Sequence, residues 1–191
     1  MVTDFAHKPT LTGDLVVLRP LDEGDYDALA AAMDDPDVAR LTGSHGEISE
    51  ERAREWMRTR KDQTDRLDLA IVDRASGQVV GEAVLNDWDP PNKSCNFRIL
   101  IGAAGQGRGL GTEATRLIVG YGIGQIGLHR ISLGVYAFNP RARRAYEKAG
   151  FKAEGLLRDA LLWEGEWIDE IVMSILASEW IPAHSPRGVS T

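Results

Sequence analysis

Cysteine and histidine are scarce in this sequence, with one cysteine and four histidines among 191 residues. The single cysteine, Cys95, cannot form a disulfide within the chain, and it has no partners at the spacing of a zinc site. We therefore expect no disulfide framework and no bound metal. Cys95 is interpreted as a small strand residue.

Long apolar runs are also missing. No uninterrupted run approaches the roughly 18 to 20 apolar residues that a membrane-spanning helix needs. The first four residues, Met-Val-Thr-Asp, lack the basic and apolar regions of a signal peptide. The sequence therefore predicts a cytoplasmic protein without a membrane partner.

Positive charge is in deficit, since 22 Lys and Arg residues face 29 Asp and Glu residues, which gives a net charge of −7 at pH 7. Binding of nucleic acid through a basic face depends on neutralising phosphates, so this charge argues against a nucleic-acid partner. A cationic or amine substrate would suit the charge better.

The composition is that of a folded chain. A hydrophobic fraction of 43% excludes disorder as a description of the whole sequence, and this length fits one domain with a substantial core. No internal repeat is visible. We predict a single domain over residues 1–180 and a flexible tail over 181–191, which holds Pro182, Pro186 and Gly188.

Apolar periodicity and turn residues predict elements in the order β α α β β β α β α β β. Strands are expected over residues 15–18, 67–72, 79–86, 95–102, 131–137, 151–163 and 167–176. Helices are expected after Asp22, which can cap the first of them, and over residues 50–63, 112–126 and 140–148. Residues 34–37 are expected to end the first helix and to lead into a loop.

A glycine-rich turn over residues 106–112, with the sequence QGRGLGT, follows an apolar run and opens a predicted helix. Glycine lets the backbone bend sharply and come close to a ligand. The first amides of a helix lack partners and carry the positive end of its dipole, so they favour an anion such as a pyrophosphate. The turn lacks the lysine of a P-loop and the spacing of a dinucleotide-binding fingerprint. The alternative is a surface turn that binds nothing.

A second motif covers residues 139–151, with the sequence NPRARRAYEKAGF, after a β-rich run. Together with the Gln-x-x-Gly-x-Gly spacing of Gln106, Gly109 and Gly111, it resembles the GNAT superfamily of acyl-CoA-dependent N-acetyltransferases, and most closely the RimJ/RimL-like branch. The resemblance extends roughly over residues 15–176. It implies an α/β (α+β) fold, in which a mixed central sheet is splayed between two parallel strands and carries helices on both faces.

The same resemblance implies an enzyme that uses acetyl-CoA as co-substrate and transfers the acetyl group to a primary amine by direct attack in a ternary complex. The glycine turn would wrap the coenzyme pyrophosphate, two strand residues would pair with the pantetheine arm, and arginines would neutralise phosphates. The implied coenzyme-binding residues are Leu100, Ile101, Gln106, Gly107, Arg108, Gly109, Leu110, Gly111, Thr112, Asn139, Arg143 and Arg144. The arginines could equally be solubilising, and Asn139 could equally cap the following helix.

The resemblance implies that Tyr146 lies near the thioester. Its phenol is our candidate to protonate the leaving thiolate, since it can donate a hydrogen bond or a proton as negative charge develops on the sulfur; the alternative is an aromatic that packs on the sheet. Ala142 replaces a serine that many members of the branch carry. Asn96 stands where many members have a glutamate, and asparagine cannot accept a proton. The base would then be Glu82 or Asp87, a water chain, or no residue at all. Taken singly, Glu82 also reads as an outward strand carboxylate and Asp87 as a turn cap.

The acceptor is expected to be chosen by the loop over residues 41–48 and by the terminal hairpin. In that hairpin Trp163 and Trp167 could form an acidic, aromatic rim with Glu164 and Glu166, or a plain cross-strand pair. Candidate acceptors are a polyamine, an aminoglycoside-like amine and a protein N-terminus, and we expect a homodimer. Two rival functions are a non-catalytic acyl-CoA-binding or sensing module and a structural role as a dimer joined through sheet edges.

Overall fold

The computed structural model describes residues 4–44 and 49–182. The strands are β1 (Leu11–Thr12), β2 (Val16–Pro20), β3 (Leu67–Asp73), β4 (Val79–Asp89), β5 (Ser94–Ile101), β6 (Arg130–Tyr136), β7 (Lys152–Trp163) and β8 (Glu166–Leu176). The helices are α1 (Tyr26–Met33), α2 (Pro36–Thr42), α3 (Glu50–Arg60), α4 (Leu110–Tyr121) and α5 (Pro140–Ala149). The strands form one sheet in the order β1-β2-β3-β4-β5-β6-β8-β7. Of the described helices, none is long and apolar enough to cross a membrane.

The predicted element order is confirmed apart from two additions, the short strand β1 and the helix α2. The expectation that residues 34–37 lead into a loop is wrong. Pro36 occupies the first position of α2, where its missing N–H and fixed φ cost nothing. The Asp35 side chain caps the helix by accepting a hydrogen bond from the Asp37 amide at 2.9 Å, and Gly43 ends it with a φ of 63°. Pro36 therefore follows the end of α1 and is also the first residue of α2.

Helices cover both faces of the sheet, as the fold prediction required. One face carries the larger core, in which Phe97 and Ile131 of the sheet pack with Ile118 of α4 and Tyr146 of α5. The other face carries a smaller cluster in which Ala70 packs with residues of the α1 and α3 layer. The strand β3 is buried on both faces and most of its residues are apolar, whereas β5 and β6 alternate between buried and partly exposed residues. Cys95 is buried in β5, as a small strand residue would be.

The strands β5 and β6 run parallel but stay paired over only three rows, Ser94 with Arg130, Cys95 with Ile131 and Asn96 with Ser132. Beyond Asn96 the two strands diverge, while each keeps its antiparallel partner on the outer side. The predicted splay is thus confirmed. Backbone N–H and C=O groups along the two facing edges lose their strand partners there, and such groups need another partner or water.

Candidate active site

A cleft with a volume of about 590 Å³ opens where β5 and β6 diverge. It is lined by residues from the two strands, the glycine turn, α5, and the α1–α2 segment. The predicted site residues that line it are Glu82, Leu100, Ile101, Gln106, Gly107, Gly109, Gly111, Thr112, Asn139, Arg144 and Tyr146. The topology therefore brings most of the predicted residues to one place. Within the described residues no group of His, Cys, Asp or Glu side chains is arranged to hold a metal ion.

The glycine turn adopts the backbone that its composition predicts. Gly107 and Gly109 have φ values of 73° and 80°, a region that side chains other than glycine rarely adopt. Gly109 is the N-cap of α4, so the unpartnered amides of that helix open towards the cleft. Gln106 braces the turn, because its Nε2 donates to the Ile101 carbonyl at 3.0 Å and its Oε1 accepts from Arg141 at 2.6 Å. Its side chain therefore ties both walls of the cleft together.

Three predicted coenzyme contacts have side chains engaged elsewhere. Arg108 donates to the buried carboxylate of Asp73 at 2.9 Å, and this hydrogen bond is the largest cause of the lowered pKa of Asp73. Leu110 is buried in the core, and Arg143 pairs with Glu147 on the outer surface of α5 at 2.9 Å. Their side chains do not line the cleft. Arg108 and Leu110 instead anchor the turn on which the backbone amides are presented.

A row of cations on α5 faces the cleft in their place. Arg141, Arg144 and Lys148 all line it. These residues recur three and four positions apart, which places them on one face of the helix. The sequence interpretation named Arg144 but missed Arg141 and Lys148, although the helical spacing from Arg144 was a sufficient signal.

Asn139 is the last residue of the loop between β6 and α5, and it lines the cleft. Its Oδ1 accepts a hydrogen bond from the Ala142 amide at 3.1 Å, so it caps α5. The capping alternative is therefore confirmed. Its amide nitrogen has no partner among the described residues, which leaves two N–H donors for a ligand.

Tyr146 packs on the sheet and also lines the cleft. Its ring packs edge-to-face against Phe97, with centroids 6.2 Å apart, and contacts Phe151. The residue is only 9% exposed, yet it lines the cleft. Burial raises the pKa of its hydroxyl to about 12. The hydroxyl is therefore a hydrogen-bond donor throughout the physiological pH range.

Glu82 lies on β4, paired with Leu100 of β5, and its carboxylate lines the cleft. One oxygen accepts a long hydrogen bond from Arg98 at 3.4 Å, and the other is buried without a partner among the described residues. Burial raises the pKa of Glu82, against the opposing effect of Arg98. The reading as an outward carboxylate is therefore wrong. Alternation along a strand does not identify an outward residue when helices cover both faces.

Asp87, the other candidate base, lies away from the cleft. It is exposed at a bulge of β4 with a φ of 52°, and its carboxylate accepts a hydrogen bond from Asn86 at 3.3 Å. Asn96 does line the cleft, where its amide donates to Asn86 at 3.1 Å. Of the two candidate bases, the fold brings only Glu82 to the site.

The two tryptophans of the hairpin do not lie opposite each other, so they do not form a cross-strand pair or a common rim. Trp163 lies opposite Glu166, whereas Trp167 lies opposite Leu162. Consecutive strand residues point to opposite faces, so the two indoles lie on different faces of the hairpin. Neither lines the cleft. In the other predicted specificity segment Leu41, Thr42 and Ser44 do line it, and residues 45–48 lie outside the described part of the chain.

Comparison with known proteins gives a family match over residues 16–152, to the acetyltransferase (GNAT) domain. The probable N-acetyltransferase YjcK of Bacillus subtilis (strain 168) is 44% identical over 73 residues, which are 38% of this chain and 40% of that protein. Spermidine N(1)-acetyltransferase of Escherichia coli (strain K12) is 29% identical over 124 residues, which cover 65% of this chain and 67% of that protein.

A solved structure is similar along most of its length. It is spermidine N-acetyltransferase from Vibrio cholerae in complex with CoA and spermine, and the TM-score is 0.80 at 24% identity. The superposition covers 87% of this chain and 98% of that one. This likeness establishes the fold.

Proposed function

This chain belongs to the GNAT acetyltransferase family and carries out acetyl-CoA-dependent N-acetylation of an amine; from that premise we propose that the acceptor is a polyamine-like primary amine and that Glu82 and Tyr146 flank the reacting thioester. One observation carries the proposal. The gap between β5 and β6 ends at the glycine turn, and the cleft there is lined by Glu82, which has one buried oxygen without a partner among the described residues.

Acetyl-CoA fits this cleft by chemistry as well as by family. The open edge of β5 at Leu100 and Ile101 offers backbone groups to an amide-bearing arm, as if the arm were an added strand. The amides from Gly107 to Thr112 and the cations Arg144 and Lys148 suit a pyrophosphate. The similar Vibrio cholerae structure is a complex with CoA, which supports acetyl-CoA as the co-substrate.

The directions of the side chains place Tyr146 and Glu82 on opposite faces of the sheet at the gap. Phe97 and Tyr146 pack together on the face of α4 and α5. Leu100, three residues further along β5, points to the opposite face, where its strand neighbour Glu82 also points. A thioester in the gap would therefore have the Tyr146 hydroxyl on one side and the Glu82 carboxylate on the other.

The chemistry follows from that arrangement. Glu82 accepts a proton from the acceptor ammonium, and the freed nitrogen attacks the thioester carbonyl carbon. Holding the two reactants together supplies much of the rate enhancement. The C–N bond forms, the carbonyl re-forms as the C–S bond breaks, and the departing thiolate accepts a hydrogen bond from Tyr146. The nitrogen, which is positively charged after the attack, loses a proton that goes to the thiolate sulfur, and Glu82 releases to solvent the proton it had accepted. The products are therefore the N-acetylated amine and CoA thiol.

The acceptor class rests on charge and on the relatives. The chain has a net charge of −7, the cleft contains the carboxylate of Glu82, and two of the similar proteins are named for spermidine. We also propose that the enzyme is cytoplasmic and homodimeric. Light scattering of the purified protein at several concentrations tests the dimer directly, and a monomer at all of them would overturn it.

The function is tested by following thiol release from acetyl-CoA with spermidine, spermine, an aminoglycoside and short peptides, with product masses checked. We expect turnover of the polyamines and a mass gain of one acetyl group. Coenzyme affinity is measured in parallel by calorimetry. Binding of acetyl-CoA without turnover of any amine would favour a sensing module instead. Absence of coenzyme binding would overturn the proposal.

The glycine turn gives a sharp test of coenzyme binding. Replacing Gly107 by alanine is expected to weaken acetyl-CoA binding about tenfold, because a positive φ costs an alanine roughly 1–2 kcal/mol and the turn relaxes away from it. Titration calorimetry of the folded variant measures this change.

Gly77 provides the matched control for that substitution. It has a φ of 71°, and, as at Gly107, an added Cβ meets no atom within 4 Å. It lies in the turn between β3 and β4, outside the cleft. Gly77→Ala should lower the thermal midpoint by a similar amount and leave the coenzyme affinity unchanged. Equal loss of affinity in both variants would assign the effect to stability alone.

A further inference from the structure

A second carboxylate lines the same cleft from the opposite wall. Glu170 lies on β8 and pairs across the sheet with Tyr136 of β6. Its side chain extends over Gly134, where an added Cβ would come within 1.7 Å of the Glu170 Oε1. The absence of a side chain at Gly134 is therefore what gives the carboxylate its place beside the cleft.

The register of the sheet puts Glu170 and Glu82 at the same level. The last paired row of β5 and β6 joins Asn96 to Ser132. Leu100 and Tyr136 each lie four residues beyond that row, and their outer partners are Glu82 and Glu170. Since side chains alternate along a strand, all of these residues point to one face of the sheet. The two carboxylates thus flank the wide end of the gap from opposite walls.

The surroundings of Glu170 fit an organic cation. No ion pair or hydrogen bond engages its carboxylate among the described residues, and its partial burial raises its pKa. The Tyr136 ring beside it is held against the end of α2, where a Cβ on Gly43 would lie 2.6 Å from Tyr136 Cε2. An aromatic face next to a carboxylate without a cation is a favourable environment for an ammonium and its methylene groups.

We propose that Glu170 is a specificity-determining residue that binds a second ammonium of the acceptor, so that the enzyme selects molecules with two amino groups over monoamines. The proposal rests on the proposed N-acetylation of polyamine-like amines. The nitrogen to be acetylated lies near Glu82 and the thioester, and the distal ammonium lies against Glu170 and Tyr136. Gly134 serves by leaving room for the Glu170 side chain.

The test compares 1,4-diaminobutane with butylamine, which differ by one amino group. For wild type we expect kcat/KM to favour the diamine. In Glu170→Gln the KM for the diamine should rise about tenfold or more with kcat nearly unchanged, while butylamine is unaffected, because only the diamine loses a charged partner. Gly134→Ala should cause a similar loss of preference with the charge retained. Glu166→Gln, the same substitution at the exposed end of β8, should leave kcat and KM unchanged for both substrates.

Calorimetric measurement of the binding of both amines to the CoA-bound protein tests the Glu170 subsite separately from the proposed N-acetylation. If wild type acetylates neither amine but binds the diamine more tightly, and Glu170→Gln abolishes that difference, the subsite stands while the proposed function fails. An unchanged diamine preference in Glu170→Gln, by kinetics or by binding, would overturn the assignment of Glu170. Equal binding of the two amines by wild type would overturn it as well.

Discussion

Replacing Glu82 by glutamine is expected to lower kcat by about a hundredfold, because removal of a positioned general base typically costs between 10² and 10⁴ in rate. Glutamine keeps the shape of the side chain and its contact with Arg98, but it cannot accept a proton. Acetyl-CoA affinity should stay the same, since Glu82 faces the acceptor side of the gap. Steady-state kinetics with saturating acetyl-CoA, together with calorimetry, measures both quantities.

The pH profile gives the same variant a second readout. The pKa of Glu82 is raised by burial, so wild-type kcat/KM should fall as the pH drops through that raised pKa, where the carboxyl becomes protonated. Glu82→Gln should lose this acidic limb. Because the folded-state pKa lies above the unfolded-state value, the carboxyl stabilises the fold at low pH and loses that contribution as the pH rises through the folded-state pKa. The variant should therefore melt at a higher temperature than wild type at neutral pH, and this advantage should vanish in acid.

Two further substitutions decide between the candidate bases. Asp87→Asn should leave kcat and the acidic limb unchanged, since Asp87 is exposed at the bulge. Glu51→Gln, on the exposed first turn of α3, controls for loss of one negative charge from the protein. A fall in kcat for Asp87→Asn with normal activity in Glu82→Gln would transfer the role to Asp87. Normal activity in both would mean that the amine needs no protein base.

The central part of the fold could be predicted because its signals are local. Glycine at the start of α4, proline at the start of α5 and Gly150 at its end are all helix punctuation, and apolar runs mark the strands between them. The helix α2 was missed because Asp35-Pro36 resembles a stop signal as much as a start. Only the packing of Val38 against the rest of the fold distinguishes the two.

The part of the site that is formed by backbone groups of a local motif could be predicted from the sequence. The positions of individual side chains in the site could be predicted less well. The glycine turn has the backbone conformation predicted for it, yet Arg108 is held by Asp73, a residue 35 positions earlier in the chain. The position of Glu82 in the cleft depends on the register of β4 and β5, which pairs Glu82 with Leu100. Glu170 was not a candidate at all, because its position at the cleft follows from the register of β6 and β8 and from a glycine on the neighbouring strand. Such long-range pairings leave no signal in a single sequence.

Replacing Tyr146 by phenylalanine is expected to lower kcat at least tenfold and to leave acetyl-CoA affinity unchanged. The ring contacts with Phe97 and Phe151 survive in the variant, so the change isolates the hydroxyl. With its pKa raised to about 12, the phenol is a weaker acid than a thiol, whose pKa is about 8.5. Full proton transfer to the thiolate is therefore uphill, and we expect Tyr146 to act by donating a hydrogen bond as the C–S bond breaks.

This distinction can be measured. A hydrogen-bond donor that stays protonated should give wild type and Tyr146→Phe the same basic limb in their pH profiles up to about pH 10, with kcat lower throughout. Tyr121→Phe is the matched control, because it removes a buried hydroxyl that has no partner among the described residues and lies in the core. That variant should keep full activity and be slightly more stable, since a buried polar group without a partner costs free energy. If Tyr146→Phe also kept full activity, the residue would be a packing aromatic that does not stabilise the departing thiolate.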